Sequence, residues 1–223
     1  NKTAQIIRKL AKNNDCQHYA AIQKLIEASE LRQGELKIST ALEAVIFKDF
    51  RTANKLIKDK KWKQKDAVNI LFFATAGGSL ETVQLLEKQG VSLSSEDFIG
   101  NSPLLVAAKN GWMEEVRYFI KKEVDLEHIN WIDGETAFTK SVRYGYLDIA
   151  EYLLQVGATI QIYNEEEVLK LSENPPAELT DLLRAEVDTM QIAVETGNKD
   201  AINFLLEKGY PFDPDIWIID SID

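Results

Sequence analysis

Residues able to do covalent or metal chemistry are scarce in this chain. It has two histidines, His18 and His128, and a single cysteine, Cys16. One cysteine excludes an intramolecular disulfide and a cysteine-based metal cage. The histidines stand 110 positions apart, too far to share a site if sequence distance becomes physical distance, and neither is read as the partner of a nucleophile. His128 sits among Asp125, Glu127, Asp133 and Glu135, a set with the chemistry of an oxygen-and-imidazole metal site. Residues of a connecting hairpin usually face water, so no metal or other cofactor is expected there. Glu165, Glu166 and Glu167 follow Asn164 as acids do in a helix's first turn after its cap. Gly77-Gly78 lacks the lysine of a phosphate-binding loop. No catalytic residue emerges, and the chain is read as a non-enzyme.

Binding chemistry is better represented. Lys55 to Lys65 reads KLIKDKKWKQK, six lysines around Trp62 with one acid, Asp59. Basic residues interleaved with an aromatic can follow a nucleic-acid backbone or an acidic protein, or can simply be a solvated helix end. The 223-residue chain has a net charge of −10, which argues against nucleic acid. The charge is segregated: residues 1–65 hold 15 Lys and Arg against 7 Asp and Glu, whereas residues 66–223 hold 11 against 29. If sequence order becomes spatial order, the molecule is a monomer with a long dipole, and head-to-tail self-association at low salt is open to it. No run of about 18 apolar residues exists to span a bilayer, and NKTAQIIRKLAKNND lacks a secretory apolar core. A cytoplasmic protein is expected.

The elements that position these residues recur along the chain. GNSPLLVAAKNG, from Gly100, is answered 34 residues later by GETAFTKSVRYG, from Gly134. Four 13-residue phrases start on glycine: GSLETVQLLEKQG (78–90), GWMEEVRYFIKKE (111–123), GYLDIAEYLLQVG (145–157) and GNKDAINFLLEKG (197–209). Each has the spacing of an outer amphipathic helix ending in a bulky pair, Leu85/Leu86, Phe119/Ile120, Leu153/Leu154 or Leu205/Leu206, and three end in a glycine suited to a left-handed cap. Before each lies a shorter helix with small residues on one face, and Pro103 falls where a first helical turn accepts it.

Gly100, Ser102-Pro103-Leu104, Ala107-Ala108 and Gly111, followed by Asp133-Gly134, Thr136, Gly145, Leu153-Leu154 and Gly157-Ala158, resemble the pattern of the ankyrin repeat family. The resemblance implies an all-α, ankyrin-type solenoid of six to seven helix-turn-helix repeats forming one domain over residues 1–223. Divergent N-terminal repeats would occupy 1–66, with a pair within 3–33, and TALEAVIFKDFRTANKLI would place Asp49 at the glycine position. The best repeats would span 67–166. Gly145 and Gly197 are 52 apart, which suggests an irregular repeat over 165–184, built on Pro175 and Leu182/Leu183 and missing its hairpin, with a change of curvature near Glu186. The last repeat and a C-terminal cap around Trp217 would fill 185–223. The histidine that opens the family's inner helix is replaced throughout, by Glu43, Phe72, Leu105, Thr139 and Gln191.

The resemblance also implies function. Ankyrin repeats bind partner proteins through hairpin tips and the inner-helix edge, which here hold Phe98, Ile99, Asn101, Lys109, Asn110, Trp112, Trp131, Ile132, Glu135, Arg143, Tyr144 and Tyr146. Aromatics and arginine in such places suit binding anchors. Trp112 and Tyr146, directly after the glycine, equally suit packing on the neighbouring repeat. A scaffolding or inhibitory domain of a larger polypeptide and a basic-patch binder remain the other two readings.

Overall fold

The computed structural model describes residues 38–97, 100–130, 134–159 and 189–210. Every regular element within them is helical. The chain divides into two compact units, Asn1–Asp125 and Leu126–Asp223.

The first unit contains α1 (Ala41–Ile46), α2 (Phe50–Lys58), a 3-10 turn (Gln64–Asp66), α3 (Ala67–Ala76), α4 (Leu80–Lys88), α5 (Pro103–Asn110) and α6 (Met113–Lys121). Helices pair as hairpins, α1 with α2, α3 with α4 and α5 with α6. The inner helices α1, α3 and α5 pack side by side, and the outer helix α2 packs against α4. The second unit contains α7 (Ala137–Arg143), α8 (Leu147–Gln155), α9 (Thr189–Glu195) and α10 (Lys199–Glu207), paired α7 with α8 and α9 with α10. Here α7 packs directly against α9. They do so although Gly145 and Gly197, the glycines that follow them, are 52 residues apart in the sequence. The irregular repeat expected over 165–184, the curvature change near Glu186, the capping segment 211–223 and the repeats within 3–33 lie outside the described residues.

Local chemistry explains where the helices begin. Thr40, Ser102 and Thr136 cap the inner helices α1, α5 and α7, each hydroxyl accepting the backbone N–H three residues on, at 3.1, 3.3 and 3.3 Å. Those N–H groups belong to Glu43, Leu105 and Thr139, three of the positions that lost the histidine. Pro103 occupies the first turn of α5, where a missing N–H costs nothing. Asp49 and Asn198 cap the outer helices α2 and α10 through Thr52 N–H and Ala201 N–H, both at 3.1 Å.

The cap at Asp49 corrects the expected register. The left-handed residue of that turn is Lys48 (φ 56°), and Asp49 is the residue after it, aligned with Ser79 after Gly78. The positive-φ residues other than glycine among those described are Lys48, Lys60 and Glu123. All three fall at positions the better repeats give to glycine: Lys48 answers Gly78, whereas Lys60 and Glu123 answer Gly90. Divergence here keeps the backbone path and accepts a strain of about 1 kcal/mol per site.

The bulky pairs are not buried as pairs. Leu86, Phe119, Leu153 and Leu205 are 0% exposed, whereas Leu206 is 44% exposed. Successive helical residues point about 100° apart, so a narrow buried stripe admits one member. Each buried side chain contributes about 1.5–3 kcal/mol, and the stripe is completed three and four residues earlier by Thr82 and Val83, Glu115 and Val116, and Ile149 and Ala150. Inner helices are buried more fully: in α3, Ile70 through Ala76 are all core.

Candidate functional site

Lost histidines remove one set of ties between repeats, and each unit supplies others. In the first unit Thr82 of α4 donates its hydroxyl to Asn54 of α2 at 2.7 Å, with both side chains buried. The indole Nε1–H of Trp112 donates to the Ala76 carbonyl at the end of α3, 3.2 Å away. The ring lies so close to Gly78 that a β-carbon there would sit 2.8–3.0 Å from it. Trp112 is nevertheless 38% exposed. It is therefore braced against the neighbouring repeat, as one of its two readings from sequence expected, and still partly open to solvent.

On the outer helices, Tyr118 of α6 donates its hydroxyl to Glu87 of α4, and the Lys122 ammonium meets the same carboxylate at 2.6 Å while lying 5.5 Å from the Tyr118 ring centroid. The hydrogen bonds from Lys122 and Tyr118 hold the Glu87 carboxyl below its ordinary value. Burial, with Glu87 as neighbour, pushes the Tyr118 phenol up to about 12. Glu115 is different in kind. It is 3% exposed at a stripe position that Thr82 and Ile149 fill in other helices, and burial raises its pKa. Its carboxyl takes the Leu80 backbone N–H at the start of α4, yet Oε1 has no hydrogen-bond partner.

The remaining expected site residues of the first unit are placed as follows. Asn101 is tied to Asp97, whose carboxylate accepts its backbone N–H at 2.8 Å and its Nδ2 at 2.9 Å, while Asp97 N–H returns a bond to the Asn101 carbonyl at 3.0 Å. This closes the hairpin. Asn110 turns its Nδ2 onto the Val106 carbonyl of its own helix at 2.7 Å. Lys109 is exposed at the end of α5. Lys109, Asn110 and Trp112 thus gather around the turn at Gly111. Phe98 and Ile99 lie outside the described residues.

In the second unit Glu135 is 0% exposed, although the hairpin position suggested an accessible edge. Its carboxylate meets Lys140 Nζ at 3.0 Å and also the Arg143 guanidinium. Lys140 is itself 4% exposed and was not among the expected site residues. The signal was present: a lysine inside the apolar phrase AFTKSV needs a buried counter-charge. Arg143 is partly open, its side chain 32% exposed, and Tyr144 beside it is 46% exposed. Tyr146 is half-buried at the start of α8, with its N–H on the Ser141 carbonyl at 2.8 Å. Trp131 and Ile132 lie outside the described residues. Elsewhere in this unit Glu127 accepts both the backbone N–H and the hydroxyl of Thr159 at 2.8 Å, and Lys208 pairs with Glu151 at 2.8 Å. Among the described residues no group of three or more His, Cys, Asp or Glu is arranged to hold a metal ion, and no helix is long and apolar enough to cross a membrane.

Comparison with known proteins agrees with this geometry. Residues 71–164 match the family model described as ankyrin repeats, three copies. The chain is similar to an L-asparaginase of Dirofilaria immitis, 28% identical over 168 residues, covering 69% of this chain and 28% of that protein. It is 27% identical over 121 residues to the ankyrin repeat and SAM domain-containing protein 6 of Mus musculus, covering 51% of this chain and 14% of the other. The ankyrin repeat domain-containing protein 37 of Xenopus tropicalis is 28% identical over 94 residues, 42% of this chain and 57% of that one. The chain therefore spans between about a seventh and somewhat more than half of these relatives.

Proposed function

We propose that this member of the ankyrin repeat family, with repeats over residues 71–164, binds a partner protein through the turns that close its inner helices. Ankyrin repeats are in general protein–protein interaction modules, and the finer assignment rests on one observation: Trp112 is 38% exposed while its ring is fixed by Gly78 and its Nε1–H by Ala76. An aromatic already immobilised in the free protein loses little conformational entropy on binding, which is the property of an efficient anchor. Lys109 stands beside it in the first unit, and in the second unit Tyr144 and Arg143 occupy the corresponding turn at the end of α7. Phe98, Ile99, Trp131 and Ile132 join the proposal on sequence grounds. The stretch shared with the Dirofilaria protein is 28% of that protein, and we read it as its repeat-bearing part. The asparaginase activity named for the Dirofilaria protein belongs, on this reading, to the part of it that this chain does not cover.

The test is affinity capture from a native lysate, with wild type compared against Lys109→Ala with Tyr144→Ala and against Phe98→Ala with Trp131→Ala. Each pair is expected to weaken the captured partner's retention about tenfold, as loss of anchors worth about 1.4 kcal/mol would. Unchanged capture by both pairs, with helical content intact, refutes the assignment of the surface. A domain within a larger polypeptide is the second reading, favoured by relatives of which this chain covers 28% and 14%.

A further inference from the structure

We propose that the cationic band from Arg51 to Lys65 is a separate docking site for a short acidic peptide segment of a partner protein, with Trp62 and Phe50 supplying apolar contact. On α2, Arg51, Lys55 and Lys58 recur at helical spacing and are exposed, and Lys60, Lys61, Lys63 and Lys65 continue the band through the following hairpin, all exposed. Two concavities of this unit open along it. One, of about 420 Å³, is lined by Phe50, Arg51, Lys55 and Lys58, with the carboxylates of Asp59 and Glu81 at its side. The other, of about 250 Å³, holds Trp62 among Lys60, Lys61 and Lys63, with one acid, Asp66.

These cations are poorly neutralised. Lys58 meets Glu81 at 3.2 Å with side chains 57% and 64% exposed, and Lys61 meets Asp59 at 3.6 Å with 67% and 41% exposed, pairs too wet to hold their partners firmly. Among the described residues, Arg51, Lys55, Lys60, Lys63 and Lys65 have no carboxylate within ion-pair distance. Lys122, Lys140 and Lys208 elsewhere do, at 2.6, 3.0 and 2.8 Å. Lys60 stands at φ 55° in a position answered by glycine in other repeats, so a charged side chain is kept there against a backbone preference of about 1 kcal/mol.

Charge complementarity selects the occupant. A nucleic-acid strand is disfavoured by the net charge of −10 on the chain. A short acidic segment with an apolar side chain stays within the band and places that side chain against Trp62 or Phe50. Phe50, at one end of the band, packs on Gly77 beside the Gly78 that braces Trp112, so the lysines and Trp62 are what test this site apart from the function proposed above.

The test uses the full chain and fluorescence anisotropy with three labelled probes: a dodecapeptide alternating Glu and Leu with one Phe, the same peptide with Gln for Glu, and a single-stranded dodecanucleotide. The Glu peptide is expected to bind at least about tenfold tighter than the Gln peptide, and to lose about tenfold or more in Lys58→Glu/Lys61→Glu/Lys63→Glu, with affinity falling as salt rises. Trp62→Ser is expected to weaken it further while leaving the salt dependence. Should charge reversal lower the melting temperature, Gln at the same three positions carries the comparison. Equal binding of Glu and Gln peptides, indifference to the lysine changes in a folded variant, or preference for the oligonucleotide overturns the proposal.

Discussion

Replacing Gly78 by alanine isolates the contact that holds the proposed anchor. Gly78 has φ 72°, and an added β-carbon would lie 2.8, 2.9 and 3.0 Å from three atoms of the Trp112 ring. Gly90 is its control, with φ 87° and nothing within 4 Å of the added atom. Both alanines meet the left-handed penalty, roughly 1 kcal/mol. Gly78→Ala must also move the indole, breaking its bond to the Ala76 carbonyl, roughly another 1 kcal/mol, and opening part of the packed face. The expected losses are therefore about 1 kcal/mol for Gly90→Ala and about 2–3 kcal/mol for Gly78→Ala. Urea unfolding followed by far-ultraviolet circular dichroism reads the helices themselves, and a constant slope with denaturant shows that midpoints can be compared. In a Trp112→Ala background the cost of Gly78→Ala should fall to about 1 kcal/mol, since only the backbone term survives the double-mutant cycle. Equal losses at Gly78 and Gly90, or an undiminished Gly78 effect without Trp112, would show that the ring is not braced on the glycine.

Two further outcomes follow from single residues. Because burial raises the Glu115 pKa above the ordinary 4.5, the folded chain holds that proton more tightly than the unfolded one, so its favourable contribution is complete below about 4.5 and is lost as pH rises through the folded value. Glu115→Gln keeps an acceptor for Leu80 N–H and removes the buried charge; it should raise stability by roughly 1 kcal/mol at neutral pH and by nothing resolvable near pH 4, as thermal melts at the two pH values will read. Glu123→Gly, at φ 56° where the neighbouring repeat has Gly90, should stabilise by roughly 1 kcal/mol, and a melting temperature at or below that of the parent chain speaks against strain at this turn.

How far the sequence carries this reading depends on whether a feature is local. The glycine-opened phrases locate α4, α6, α8 and α10 because a buried stripe and a left-handed turn both leave marks within a dozen residues. What fails is what depends on atoms from elsewhere. Asp49 looks like the glycine's substitute because its neighbours are apolar at the right spacing, but the turn is set by Lys48, and only the carboxylate's grip on Thr52 N–H distinguishes the two. Direct packing of α7 on α9 is a long-range fact with no local sign in the sequence. Glu135 reads as an exposed edge until Lys140 and Arg143 are brought to it.

The lost histidines carry the same lesson into function. A regular repeat solves the problem of joining layers once and repeats the answer, leaving its variable positions free for a partner. In this chain the answer differs at each junction: Thr82 with Asn54, Trp112 with Ala76, and Glu87 shared by Tyr118 and Lys122. Residues a regular repeat would offer to a partner are thus drawn into holding layers together, and Trp112 serves as both brace and proposed anchor. Stability and recognition then share side chains. Substitutions that alter binding at such positions must also alter unfolding, whereas the lysines of the α2 hairpin, exposed and only loosely paired among the described residues, can be changed to test the proposed docking with the fold left as it is.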